Sequence, residues 1–140
     1  TIIDMKRKIS KNFTFEELTR TSTGYFNAPN EAQTINLRIV TAAILQPLRS
    51  YLNEKVTITS GYRSAQVNTE VKGSDSSFHL YGMAADFKVI SFQKAIDYIV
   101  NYLEFTELGI YQTKKGVIRF LHVAYNPLNL SKEVFIKIIK

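Results

Sequence analysis

The chain has 140 residues, 45% hydrophobic and 21% charged, with 18 basic against 12 acidic side chains and no cysteine. That length and balance suit a single domain over residues 1–140 with its own core, and they exclude a disordered chain. The lack of cysteine excludes disulfides, thiolate nucleophiles and Cys-type structural zinc. No apolar run approaches the roughly 18 residues of a membrane span, so a soluble domain is expected. The net charge of +6 serves solubility or attraction to a polyanion such as nucleic acid, an anionic membrane or a bacterial wall. The basic residues are dispersed apart from "KRK" at 6–8 and Lys114-Lys115, and neither a helix-turn-helix pattern nor an aromatic RNA motif is present. Nucleic acid is therefore not the expected partner. The opening "TIIDMKRKIS" does not read as a signal peptide, which leaves export open.

In chain order, "NFTFEEL" places Thr14 three residues before Glu17, a capping box that predicts a short helix. "TSTGYFNAPN" reads as a loop, with Gly24 and Pro29 as breakers. From Glu31 onwards Ile35, Ile39, Val40, Ala43, Ile44, Leu48 and Leu52 recur at helical spacing. Pro47 inside that pattern predicts a kink or local break. "KVTITS" alternates as a short strand, and "SAQVNTEV" reads as a helix capped by Ser64 and stopped near Gly73. "AADFKVI" predicts a second strand, after which Ser91 caps a helix through Phe92, Ile96, Ile99, Val100 and Leu103. "ELGIYQ" and "VIRFLHVAY" predict two strands joined by the turn "TKKG". The tail "EVFIKIIK" has the β-branched content of a strand, with a helix as the alternative. Helices early and strands clustered late predict an α+β fold rather than a doubly wound parallel sheet.

Only two histidines occur, His79 in "SSFHLYGMAADF" and His122 in "RFLHVAY". With Asp86 they make up the kind of set a catalytic zinc uses: three N/O ligands and one open position. Strand alternation sets Ile118, Phe120, His122 and Ala124 on one face, where an imidazole is held rigidly. The spacing by itself equally allows a hydrogen-bonded core histidine and an aspartate that only caps a turn.

"SGYRS" at 60–64, Asn68, "SFHLYGMAAD" at 77–86 and "LHVAY" at 121–125 closely resemble the zinc D-alanyl-D-alanine carboxypeptidase family. Those are peptidoglycan peptidases of bacteria and phages that share a fold with the hedgehog signalling domain. Ser77, His79, Gly82, Ala84 and Asp86 match every fixed position of the family pattern S-x-H-x-x-G-x-A-x-D, and "LQPLRS" before "VTITSGYRS" is similar too. The similarity runs over roughly residues 12 to 125. It implies a hedgehog/DD-peptidase-like α+β fold with helices packed on a small, mainly antiparallel sheet. It implies zinc held by His79, Asp86 and His122, with Arg63 binding substrate and stabilising the developing negative charge. It also implies Ser77 near the substrate's terminal carboxylate, peptidoglycan stem peptides as substrate, and action on the cell wall. Gly82 and Ala84 would let the loop fold back so that His79 and Asp86 reach one ion.

One position departs from the family. Three residues before the last histidine, where many members carry an acidic general base, stands Arg119. In an unbroken strand it faces away from His122. Glu107 and Asp75 are the candidates for that role. The alternative is a weak or inactive zinc-containing module that binds muropeptides or a partner without cutting.

Overall fold

In the computed structural model, which describes residues 7–140, Thr14 caps α1 (Phe15–Thr19) through the reciprocal bonds its sequence predicts. Its hydroxyl accepts from the Glu17 N–H, and the Glu17 carboxylate accepts from the Thr14 N–H. Just before it, β1 (Lys8–Ser10) and β2 (Phe13–Thr14) form a two-stranded ribbon. These strands, three and two residues long, are too short to leave an alternation in the sequence. Most of the segment read for a leader, residues 1–6, lies outside the described range.

A second capping box, Asn30 with Gln33, opens α2 (Glu31–Val40). The kink or local break expected at Pro47 takes a mild form: the helical path continues, but regular α-helical bonding is interrupted just before the proline. Thr41–Leu45 forms one π-helical segment, with the Gln46 N–H donating five residues back to the Thr41 carbonyl, and α3 (Gln46–Leu52) continues from it. Pro47 sits in the first turn of α3, where its missing N–H costs little. The widened turn absorbs the proline.

A five-stranded sheet carries the rest. Its strands are β3 (Thr57–Ser60), β4 (Ala84–Lys88), β5 (Glu107–Gln112), β6 (Ile118–Ala124) and β7 (Glu133–Ile138), in the order β3-β4-β6-β5-β7. All neighbours are antiparallel except β5 and β7, which run parallel. The tail is thus a strand. Gly116, at φ +86°, closes the β5–β6 turn, its N–H donating to the Thr113 carbonyl.

Alternation divides the sheet into two faces. Phe87, Leu108, Leu121 and Val123 point into the core with Leu37, Ile44 and Leu48 of the helical run. Ala95 and Ile99 of α5 (Phe92–Tyr102) join them. The expected α+β architecture, helices packed on a mainly antiparallel sheet, is what the chain adopts. The opposite face carries Asp86, His122 and Glu107. Two connections complete it: α4 (Ala65–Glu70), capped by Ser64, and a 3₁₀ turn (Phe78–Tyr81). Among the described residues no helix is long and apolar enough to cross a membrane.

Candidate metal centre

The motif segment folds so that its two polar ends converge. The Ser77 hydroxyl accepts from the His79 N–H at 3.2 Å and starts the 3₁₀ turn. Gly82 ends it in the left-handed region at φ +72°, and a Cβ there would stand 2.5 Å from the Gln33 carbonyl oxygen of α2. Only glycine meets both demands. Fully buried Ala84 then enters β4 opposite Ala124, which puts Asp86 in register with His122 on β6.

His79 is oriented by the backbone. Its Nδ1 lies 2.7 Å from the Gly61 carbonyl oxygen, an acceptor only, so Nδ1 carries a hydrogen and Nε2 faces Asp86 Oδ1 at 3.1 Å. His122 stands between two carboxylates. Its Nδ1 is 2.8 Å from Asp86 Oδ1 and its Nε2 2.9 Å from Glu107 Oε1. Burial pushes the His122 imidazole down, but hydrogen bonds to Asp86 and then Glu107 prevail and raise it to about 9. Burial alone would push the Asp86 carboxyl up; the charge of His79 and the bonds from both rings instead hold it well below the usual carboxylate range.

All three residues are buried, and one ligand atom from each lies within 4.8 Å of the others. Tetrahedral zinc with bonds of about 2.0–2.2 Å separates its ligand atoms by roughly 3.3 Å. The two His–Asp separations are close to that. Each imidazole also has the outer partner that a ligating histidine normally has, a carbonyl for His79 and a carboxylate for His122. The donor set therefore fits zinc, and a metal taking His122 Nδ1 displaces any proton held there.

Arg63 reaches the same place from the loop after β3. Its Nη2 donates to Asp86 Oδ2 at 3.4 Å, its Nε to Ser60 Oγ at 3.0 Å and its Nη1 to Asn68 Oδ1 at 3.4 Å. The Arg63 N–H also donates to the His79 carbonyl at 3.0 Å, which ties the two motif blocks together. Asn27 went unnoticed in the sequence, yet its amide donates to the Thr19 and Tyr62 carbonyls and its oxygen accepts from the Ser64 N–H. It pins the "SGYRS" segment. An asparagine inside a loop otherwise read only for its breakers was the available signal.

The side chains of Arg63, His79, Asp86 and His122 line a cavity of about 570 Å³, whose carboxylates are Asp86 and Glu107. Ser77 lines it too. Asp75 is exposed and does not line it, and exposed Arg119 lines a separate hollow with Lys114 and Lys115. Of the two candidate bases, the fold thus brings in Glu107 alone.

Gly61 carries a consequence for stability. A Cβ there would fall on the Leu18 carbonyl, a backbone group that cannot swing aside. Gly61→Ala should cost about 1–3 kcal/mol of unfolding free energy and disturb the carbonyl that orients His79. Denaturant unfolding of the metal-free protein measures it; an unchanged midpoint would show that the two chain segments separate freely.

Over 77 residues, 54% of this chain, the sequence is 36% identical to the zinc D-Ala-D-Ala carboxypeptidase of Streptomyces albus G, and the match spans 30% of that relative. Residues 11–124 match the family model described as Peptidase M15. That stretch holds His79, Asp86, His122, Arg63 and Glu107 and most of the chain, so the chain belongs to the peptidase M15 family.

Proposed function

We propose that the chain is a single zinc peptidase domain that hydrolyses a D-amino-acid-containing peptide bond of bacterial peptidoglycan. The observation that carries this reading is the convergence of His79, Asp86 and His122 on one point in a cavity that also holds Arg63 and Glu107. The name of the Streptomyces relative suggests a D-Ala-D-Ala end as substrate.

His79 Nε2, Asp86 Oδ1 and His122 Nδ1 would hold the ion. When bound, zinc polarises the scissile carbonyl and lowers the pKa of water it contacts from ~15.7 towards ~7. The Glu107 carboxylate takes the proton of the attacking water and returns it to the leaving amine. Its bond to His122 also keeps that ring aimed. The Arg63 guanidinium, fixed by Ser60, Asn68 and Asp86, supports the negative charge that develops on the carbonyl oxygen. The Ser77 hydroxyl accepts from the His79 N–H, which leaves its own hydrogen to donate to the substrate's terminal carboxylate.

Protein purified without added metal should contain about one zinc per chain, and His122→Ala should lose it. Full occupancy in that variant, by elemental analysis, would refute the ligand set. Activity is tested on peptidoglycan fragments ending in D-Ala-D-Ala or containing L-Ala-D-Glu, with and without chelator, with mass spectrometry of the released amino acid or dipeptide. Chelator-sensitive release is expected. Arg119, standing where an acid is usual, favours one second reading: a zinc-containing module that binds muropeptides without cutting them. Binding without any product over days would establish it.

A further inference from the structure

The last strand adds to the cavity from outside the matched family region. β7 begins at Glu133, beyond the stretch 11–124, yet its Phe135 and Lys137 line the same cavity as the histidines. Phe135 pairs with Gly109, and a Cβ on that glycine would come within 2.5 Å of the ring. The bare backbone of β5 is what lets the ring lie 6.1 Å, centroid to centroid, from His122. Tyr111 and Phe120 stack beside it at 4.4 Å, and Phe135 meets Tyr111 edge-on at 6.1 Å. An aromatic wall therefore runs outward from the metal centre. The Lys137 ammonium stands over the Tyr111 ring of that wall, 6.0 Å from its centroid.

Charge accounting within the cavity leaves this ammonium free. Asp86 is engaged by both histidines and Arg63, and Glu107 by His122. Among the described residues neither Lys137 nor Lys72, the other lysine lining the cavity, lies in an ion pair with a carboxylate. An aromatic wall with an ammonium over one of its rings and no carboxylate paired to it suits an acidic side chain, methylenes on the rings and carboxylate at the lysine.

We infer that Phe135, Tyr111 and Lys137 form a subsite for a second, internal carboxylate of the substrate, separate from the terminal one near Arg63 and Ser77. This rests on the peptidase reading and deepens it. The strand that follows the shared family core thereby selects acidic stem peptides over amidated ones.

The test uses two synthetic stem pentapeptides ending in D-Ala-D-Ala, identical except that the internal carboxyl groups are free in one and carboxamides in the other. Affinity for the zinc-loaded protein is read as KM where the peptides are cleaved and as Kd by calorimetry where they are not. Wild type should favour the carboxylate peptide about fivefold, the scale of one exposed ion pair. Lys137→Met should erase the preference with zinc content unchanged, and Lys137→Glu should reverse it. Equal affinities in wild type, or a preference that survives Lys137→Met, overturn the inference, and so does a preference lost only in Lys72→Met. Cleavage of both peptides with equal KM would sink the subsite and leave the hydrolase. A Lys137-dependent preference in binding without cleavage would sink the hydrolase and leave the subsite.

Discussion

Glu107→Gln should keep its zinc and lose turnover by about 100- to 10,000-fold, the usual worth of a positioned general base. The amide can still accept the hydrogen bond from His122 Nε2, now 2.9 Å from the carboxylate, so the ring stays aimed. It cannot take a proton from water. Glu107→Ala removes both services, and it should in addition weaken zinc binding by about 10- to 100-fold, as losing a ligand's outer partner does. The pair separates two roles that one carboxylate could fill. If Glu107→Gln matches wild type while Glu107→Ala sheds metal, Glu107 only positions His122 and the proton goes elsewhere. Single-turnover cleavage with zinc content measured on the same samples decides it.

The legible parts of this site are those fixed by local chemistry. The serine, glycine and alanine around His79 and Asp86 announce a turn folding back into a strand, and Gly82 takes the left-handed conformation that such a turn needs. His122 followed from alternation in one strand, and so did the outward aim of Arg119. Glu107 was a different case. Its approach to His122 depends on how β5 pairs with β6, where Glu107 lies opposite Ala124, two residues along from His122. Register is a tertiary fact, and one sequence carries only its strand periods. The contribution of β7 was hidden for the same reason, since nothing in "EVFIKIIK" says that it pairs in parallel with β5 beside the cavity. Pro47 marked the local irregularity but not its form. The rule that proline breaks a helix assumes regular four-residue bonding, and the π segment before it relieves that constraint.

Arg63→Ala should leave the fold and most of the zinc in place while lowering turnover on the order of 100-fold or more. The guanidinium serves a charge that exists only as the carbonyl is attacked, so its loss falls on kcat more than on KM. Three oxygens hold it, on Ser60, Asn68 and Asp86, and its side chain is only 15% exposed. It is therefore in place before substrate arrives, with little reorganisation left for the reaction itself. Arg63→Lys should not restore activity. A single ammonium on a flexible stem cannot satisfy Ser60, Asn68 and Asp86 together and still face the substrate, whereas the planar fork does so from one plane. Steady-state kinetics on a D-Ala-D-Ala peptide, with zinc content and thermal unfolding on the same preparations, make the comparison. Equal kcat in all three proteins would take Arg63 out of the chemistry and reduce it to the strut that joins the loop after β3 to Asp86.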